Sequence, residues 1–190
     1  MSISETFYDF CGLILHLVKG HSIADLGCGL GVWGYAIRCR LRNALLIGID
    51  ISLEALKFIK RYHVYDGLLL ASCPFIPLRD KSVDTVFCID VIEHLSKSQG
   101  LKLLRNMEKL AKKRIIVTVP TPRIVHQSPE HISVWRAEEF KAYGYKVIGV
   151  RFRYHTLTHP IKYMLIWLFE LLGHFIPALA SIIVAYKDLT

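Results

Sequence analysis

Three glycines at alternate positions are the most informative chemical feature of the sequence. Gly27, Gly29 and Gly31 follow an apolar segment that contains Asp25, within the stretch IADLGCGLGVWG. Glycine adopts positive φ angles and has no Cβ, so a turn of this kind lets a ligand approach the backbone closely. Because open α/β sheets bind ligands beyond the carboxyl ends of their strands, the pattern predicts a ligand site at this turn.

Two interpretations of this turn stay open on the residues alone. The segment from Gly29 to Gly34 has the spacing GxGxxG of dinucleotide-binding turns, in which a pyrophosphate lies at the N-terminus of the following helix. The longer stretch DLGCGLG instead places an acid, Asp25, two residues before the first glycine. A carboxylate repels a pyrophosphate and attracts a protonated amino group, so Asp25 favours a ligand that carries such a group.

A second acid, Asp50, ends the next apolar segment in the stretch IGIDIS, 19 positions after Gly31. At this place in a nucleotide-binding fold a carboxylate accepts hydrogen bonds from ribose hydroxyls. The alternative is a structural acid at a helix N-terminus, because Ser52 and Glu54 have the pattern of a helix start. Asp50 thus indicates an adenosine ligand without separating the two interpretations of the glycine turn.

Histidines supply the candidates for acid–base chemistry, because imidazole titrates near neutral pH. The pair Glu93–His94 follows Asp90 at the end of the fourth apolar segment, and His131 lies in the stretch EHISVW. We predict His94 and His131 as catalytic residues. The alternative for each is a purely structural role, as a hydrogen-bonding or capping residue.

A proline-containing loop follows the fifth apolar segment and is predicted to form a substrate lid. The loop carries Pro120, Pro122 and Pro129. We expect His126 to line the acceptor pocket. Trp135 is expected either in that pocket or in the core.

Alternating apolar and amphipathic segments predict the elements that position these residues. They indicate an α/β fold with a doubly wound, mostly parallel sheet and helices on both faces. The apolar runs lack strict alternation, as is typical of strands that are covered on both faces. The predicted strands are 21–26, 44–50, 67–71, 83–90, 114–120, 145–153 and 179–186. The predicted helices are an amphipathic segment within 1–20, then 31–42, 52–62, 96–113 and 136–143.

Three stretches taken together resemble class I S-adenosylmethionine-dependent methyltransferases: DLGCGLG, IGIDIS and IPLRDKSVDTVFCIDVIEHL. Within that class they are most similar to the branch of small-molecule enzymes related to the quinone C-methyltransferases. The resemblance covers residues 20–150, and the ending IPALASIIVAYK resembles the closing strand of the family. It implies a Rossmann-like methyltransferase fold with seven strands, the last of them antiparallel. It also implies an enzyme with S-adenosyl-L-methionine as its cofactor.

The resemblance further implies a role for each residue of the site. Asp25 would help to hold the methionine amino group through the glycine turn, and Asp90 would lie beside the methionine moiety. Asp50 would bind the ribose hydroxyls, and Ile51 would pack against the adenine. Backbone contacts to the cofactor would come from three consecutive residues, Gly27, Cys28 and Gly29.

One position departs from the family pattern. Ser72, followed by Cys73, occupies the place of a family aspartate whose side chain meets the adenine amino group. A serine hydroxyl accepts from an N–H group as a neutral group with shorter reach. We therefore expect Ser72 and the backbone of Cys73 to contact adenine, and the cofactor to bind more weakly than is typical.

Length and composition narrow the possibilities further. The 190 residues, 53% hydrophobic and 21% charged, predict a single domain and argue against disorder. We expect an N-terminal helix in 1–20, a cofactor-binding core in 21–150, and an apolar helix with the closing strand in 151–190. Five cysteines without CxxC spacing favour a cytoplasmic protein over a disulfide scaffold. No spacing of histidines, cysteines and carboxylates predicts a metal site.

These features predict a methyltransferase that acts on a small-molecule or lipid-like acceptor. The net charge of +8 leaves RNA methylation as an alternative, and Ser72 leaves a non-catalytic cofactor-binding partner subunit. The spacing GxGxxG taken alone would predict an NAD-linked oxidoreductase. The apolar segment 163–186 is predicted as a core helix and strand, with peripheral membrane contact as the alternative. Glu170, His174 and Pro177 argue against a membrane span there.

Overall fold

Seven strands within the described part of the chain form one sheet. The computed structural model describes residues 3–122, 128–150 and 180–189. Each of the seven predicted apolar runs overlaps one strand, although the fifth strand begins before its run and the seventh ends after its run. The strands are β1 (Ser22–Leu26), β2 (Leu45–Asp50), β3 (Gly67–Leu70), β4 (Val83–Ile89), β5 (Ala111–Pro120), β6 (Lys146–Val150) and β7 (Ile182–Asp188).

The strand order in the sheet is β3-β2-β1-β4-β5-β7-β6. β1 pairs in parallel with both β2 and β4, β2 pairs in parallel with β3, and β4 with β5. β7 runs antiparallel to both of its neighbours, β5 and β6. The predicted fold class and the antiparallel last strand are therefore confirmed. Because the chain order reverses between β1 and β4, a crevice opens beyond their carboxyl ends.

Helices connect the strands and begin where the sequence provides caps. The side chain of Ser52 accepts a hydrogen bond from the N–H of Ala55, and Ser96 forms a capping box with Gln99. The helices are α1 (Ile3–Leu17), α2 (Val32–Arg40), α3 (Leu53–Lys60), α4 (Lys97–Leu110) and α5 (Ala137–Ala142), and a 3₁₀ turn spans Ile92–His94. Each predicted helix is present with shorter ends.

Apolar clusters cover the sheet on both faces. One cluster contains Leu104 and Met107 of α4. The other contains Ile14 of α1, Ile37 of α2 and Leu56 of α3. The helices thus lie on both faces, as predicted, and hold the sheet edge that carries the glycine turn. On the outer face of α4 three basic side chains are exposed: Lys102, Arg105 and Lys109.

The end of the fourth predicted helix was placed wrongly. Helical spacing predicted a helix over 96–113, but α4 ends at Leu110 and β5 begins at Ala111. Ala111 has an extended backbone and pairs with Val83 of β4. Sheet pairing therefore ends the helix three residues before its predicted end at residue 113. A buried alanine suits a helix and a strand equally, so the apolar pattern did not mark the boundary.

The predicted closing strand is present as β7, whereas the apolar helix before it and the residue His126 lie outside the described residues. Of the segment 163–186, the structure describes only 180–186. Within the described residues no helix reaches the length and hydropathy that a membrane span requires.

Candidate functional site

A cleft of about 330 Å³ opens at the carboxyl ends of β1, β2 and β4. This volume lies within the range of small-molecule sites. Six of the predicted cofactor residues lie on the wall of the cleft, together with His94. The lining residues are Gly27, Asp50, Ile51, Ala71, Ser72, Cys73, Asp90, Val91, His94 and Leu95. The fold therefore brings four separate loops to one place.

The glycine turn after β1 contains three glycines with positive φ angles, and a different surrounding requires glycine at each of them. Gly27, Gly29 and Gly31 have φ angles of +74°, +48° and +82°. A Cβ at Gly27 would lie 2.3 Å from Val91, and one at Gly31 would lie 2.4 Å from Ile59. A Cβ at Gly29 would meet no described heavy atom within 4 Å. Gly29 thus leaves open space beside the cleft that a side chain would fill.

The carboxylate of Asp50 joins the glycine turn to the start of α3. Its Oδ2 accepts a hydrogen bond from the N–H of Gly29 at 2.7 Å, and its Oδ1 accepts one from the N–H of Ser52 at 2.8 Å. A carboxylate has about four acceptor sites, so these two bonds leave room for a ligand. Asp50 therefore has the structural role at a helix N-terminus that the sequence left open. Its side chain also lines the cleft.

The amide groups of the turn are used inside the protein. The N–H groups of Gly27 and Cys28 both donate to the carbonyl of Ile49, and that of Gly29 donates to Asp50. The expected backbone contacts of these three residues to a cofactor would thus come from their carbonyl groups or Cα atoms. Cys28 itself is buried beneath the turn, and burial raises the pKa of its thiol.

Asp25 lies beneath the turn rather than on the cleft wall. It is 2% exposed, and its Oδ2 accepts a hydrogen bond from the hydroxyl of Tyr65 at 2.6 Å. Burial raises the pKa of Asp25 to about 6; the Tyr65 hydrogen bond lowers it and the charge of Asp50 raises it. Tyr65 also packs against Gly34, where a Cβ would lie 2.3 Å from its ring. Packing thus accounts for the last glycine of the GxGxxG spacing.

Asp90 occupies a strained backbone position at the end of β4. Its φ angle is +52°, which is unfavourable for a residue with a side chain. Thr118 of β5 holds it there: the N–H of Asp90 donates to Oγ1 of Thr118 at 3.1 Å, and that hydroxyl donates to Oδ1 of Asp90 at 2.8 Å. Burial in the cleft raises the pKa of Asp90, against the Thr118 hydrogen bond and the nearby His131 and His94.

Ser72 and Cys73 lie together on the cleft wall, and their contact with adenine stays a prediction. The hydroxyl of Ser72 donates to the carbonyl of Cys73 at 3.3 Å. Burial, with a smaller contribution from the charge of Asp50, raises the pKa of Cys73 to about 11. The thiol is therefore protonated at neutral pH.

The two predicted catalytic histidines are neighbours. The ring centroids of His94 and His131 are 4.9 Å apart in an edge-to-face arrangement, and His94 lines the cleft. Trp135 lies in the core: it is 1% exposed, and its indole N–H donates to Oγ of Ser133 at 2.9 Å. Its expected alternative place in the acceptor pocket was wrong, because the indole packs against Gly100 and Ile92.

Sequence reasoning missed two residues that support the site, Tyr65 and Thr118. Tyr65 precedes β3 in an ordinary turn, and nothing local connects it with Asp25. Thr118 carries a weak signal, because it is the one hydroxyl in the apolar run IIVTVP. A fully buried threonine in a central strand needs a hydrogen-bond partner, and that partner is Asp90.

Comparisons with known proteins find a methyltransferase domain in this chain. A family model described as a methyltransferase domain matches residues 23–114. An uncharacterised protein of Methanocaldococcus jannaschii is 29% identical over 109 residues, which is 57% of this chain and 45% of that protein. This chain therefore matches less than half the length of that curated relative.

Solved structures share the fold. A methyltransferase of Archaeoglobus fulgidus that depends on S-adenosylmethionine has a TM-score of 0.63 and 16% identity, over 99% of this chain and 100% of that one. Magnesium protoporphyrin IX methyltransferase of Synechocystis, with bound S-adenosylmethionine, has a TM-score of 0.62 and 15% identity, over 99% and 82%. The Haloferax volcanii complex of the methyltransferase activator Trm112 with a methyltransferase contains a chain with a TM-score of 0.66 and 16% identity, over 98% and 90%.

The family match covers just under half of the chain, residues 23–114, and is to a methyltransferase domain. The chain also shares the fold of solved methyltransferases that depend on S-adenosylmethionine. The residues of the cleft fit S-adenosylmethionine, because Asp50 has acceptor sites left and Gly29 leaves open space beside the cleft.

Because Asp25 is buried, we predict that the protein loses stability as the pH rises. Its pKa is about 6 in the folded state against an ordinary 3.8, so the folded protein holds the proton more tightly than the unfolded chain. This contribution to the free energy of unfolding is complete below about pH 4 and falls between pH 4 and 6, by about 3 kcal/mol. Asp25→Asn removes it, so urea unfolding of the variant is expected to vary less with pH in that window.

The exposed substitution Asp80→Asn is the control and should leave the pH dependence as it is in the unmodified protein. If Asp25→Asn also left it unchanged, Asp25 would not have a raised pKa.

Proposed function

We propose that this chain transfers a methyl group from S-adenosylmethionine to a small-molecule or lipid-like acceptor. The observation that carries the proposal is the cleft wall that Asp50 and Asp90 share at the reversal point of the sheet. Residues from the ends of β2 and β4 meet there, beside a glycine turn with open space at Gly29. The remaining assignments follow from this one placement.

In the proposed binding mode the adenosine end lies along the end of β2. The free acceptor sites of Asp50 receive the ribose hydroxyls. Ile51, which is 72% exposed, offers an apolar surface to the adenine ring. Ser72 and Cys73 line the region beyond it, where the adenine edge would lie.

The methionine end lies between the glycine turn and Asp90. Asp25 beneath the turn and Asp90 on the wall place two carboxyl groups near this end of the cleft. Such groups attract a protonated amino group and a sulfonium, and they repel a pyrophosphate. The two acids therefore support a sulfonium cofactor over the dinucleotide interpretation of the GxGxxG spacing.

The protein contributes alignment and, for some acceptors, a base. S-adenosylmethionine supplies the methyl group and the sulfur leaving group when it is bound. The cleft wall holds the acceptor in line with the methyl carbon and excludes water, and this positioning supplies much of the rate. His94 is the proposed base, since it lines the cleft. It acts only when the acceptor must lose a proton.

The acceptor side of the cleft supports a small or lipid-like molecule. Val91 and Leu95 line it with apolar side chains. The net charge of +8 favours RNA methylation as the second candidate function. The relation to quinone C-methyltransferases, a role as a non-catalytic partner subunit, and membrane contact through 163–186 stay predictions.

Asp50→Ala is expected to weaken binding of S-adenosylhomocysteine by about 1–3 kcal/mol, because the ribose hydroxyls lose their acceptor. Isothermal titration calorimetry measures the change. Glu54→Ala, one turn further along the same chain segment, is the control, since Glu54 is exposed and does not line the cleft. Equal affinities for Asp50→Ala and the unmodified protein would remove the ribose assignment.

Gly29→Val is expected to abolish measurable binding of S-adenosylhomocysteine while the protein stays folded. The new side chain enters open space rather than protein atoms, so the folding cost is that of the positive φ, about 1–2 kcal/mol. Gly144→Val is the matched control, because Gly144 also has a positive φ of +80° and lies in the turn between α5 and β6. It should lose stability and keep its affinity. A folded Gly29→Val protein that binds normally would contradict the proposed role of the turn.

Cell extract incubated with the protein and methyl-labelled S-adenosylmethionine is expected to carry label in the small-molecule or lipid fraction. Mass spectrometry of the separated fractions identifies the acceptor class. Label in RNA, with binding that falls steeply between about 50 and 200 mM salt, would favour the second candidate. Single-turnover experiments that give no transfer to either fraction would support the partner-subunit prediction instead.

A further inference from the structure

A cluster of potential metal ligands lies at the turn that follows β4. Glu93, His94 and His131 each offer one ligand atom, and these three atoms lie within 4.8 Å of one another. Their spacing along the sequence did not predict this group, because His131 follows His94 by 37 positions. We propose that these three side chains form a binding site for one divalent first-row transition-metal ion such as zinc.

Glu93 is the strongest observation for a cation. The residue is 1% exposed, and neither of its carboxyl oxygens has a hydrogen-bond partner on another described residue. A buried carboxyl group is unfavourable unless it is hydrogen-bonded, paired with a charge or bound to a metal. A cation between Glu93 and the two histidines would supply the missing partner.

His94 is held in the tautomer that a metal ligand needs. Its Nδ1 lies 3.1 Å from the carbonyl oxygen of Glu130. A carbonyl oxygen only accepts, so Nδ1 carries the proton and donates, which leaves the lone pair of the neutral ring on Nε2. Metal-ligating histidines usually donate their other ring N–H to a carbonyl or carboxylate in this way.

His131 is held against the other two residues by the backbone. The carbonyl of Glu93 accepts hydrogen bonds from the N–H groups of Ile132 and Ser133, at 2.9 and 3.0 Å. These bonds fasten the loop that carries His131 to the 3₁₀ turn that carries Glu93 and His94. The ligand atoms are therefore brought together by the fold and not by one flexible side chain.

Two imidazoles and one carboxylate suit a catalytic type of zinc site, in which three protein ligands leave a position open. Imidazole also suits iron, nickel and copper, whereas magnesium and calcium prefer oxygen ligands. Ligand atoms at about 2.1 Å from a tetrahedral ion lie about 3.4 Å apart. The three ligand atoms would thus move closer to one another by up to about 1.4 Å when an ion binds.

The position of the ion relates the site to the proposed function. His94 lines the cleft, so the open coordination position would face the acceptor side. An acceptor with a hydroxyl or other oxygen donor could then occupy that position. This last step rests on the proposed methyl transfer, whereas the metal site itself does not.

Titration of the tag-free, metal-stripped full-length protein with Co²⁺ tests the proposal. We expect one ion per chain, a visible d–d absorption band of the bound Co²⁺, and displacement of Co²⁺ by Zn²⁺. Glu93→Gln, His94→Gln and His131→Asn are each expected to weaken Co²⁺ binding by more than about 100-fold, as loss of a direct ligand should exceed the 10–100-fold loss for supporting residues. Glu93→Gln gives up no hydrogen bond to another described residue, so it should fold.

His21→Gln and Glu138→Gln are matched controls at exposed positions and should bind Co²⁺ as the unmodified protein does. Failure of the unmodified protein to bind Co²⁺, or binding that survives all three site substitutions, would overturn the proposal. Titration of the same preparations with S-adenosylhomocysteine tests the proposed cofactor binding mode independently of the proposed metal site. A protein that binds the nucleoside and not the metal refutes only the metal site, and the reverse refutes only the proposed cofactor mode.

Discussion

The two hydrogen bonds of the Asp50 carboxylate are the interaction on which the cleft depends. They join the turn after β1 to the beginning of α3, and so connect two loops that parallel pairing alone brings only side by side. Hydrogen bonds from backbone N–H groups to an ionised carboxylate are about twice as strong as neutral ones. The open space at Gly29 has a defined shape because this carboxylate holds the turn that surrounds it.

Three acids, Asp25, Asp90 and Glu93, lie at or beneath the cleft, and partial or full removal from water raises the pKa of each. Asp25 is compensated in part by the hydroxyl of Tyr65, and Asp90 by that of Thr118. Glu93 has no such partner among the described residues. Groups of this kind gather at functional sites, because the chemistry there needs a charge or a proton that a stable core would avoid. In the proposed binding mode, Asp25 and Asp90 lie near the methionine end of the cofactor.

The parts of the site that the sequence predicted are those in which spacing itself has a geometric meaning. Gly29 and Asp50 follow apolar runs directly, so their places at strand ends could be inferred from the runs. Their shared hydrogen bond could not, because it depends on the register of β1 with β2. The sequence left two places open for Trp135, because a tryptophan suits a pocket wall and a core equally. The tertiary structure puts it in the core against Gly100.

The sequence by itself determined the order of strands and helices along the chain, the mostly parallel sheet and the place of the glycine turn at a strand end. Periodicity and glycine placement are local properties, and a single chain segment expresses them fully. Only the tertiary structure decided that Tyr65 reaches Asp25 across 40 positions, and that Glu93 and His94 meet His131. Such contacts between distant segments depend on how strands pair and helices pack, and no local pattern of residue types records that outcome.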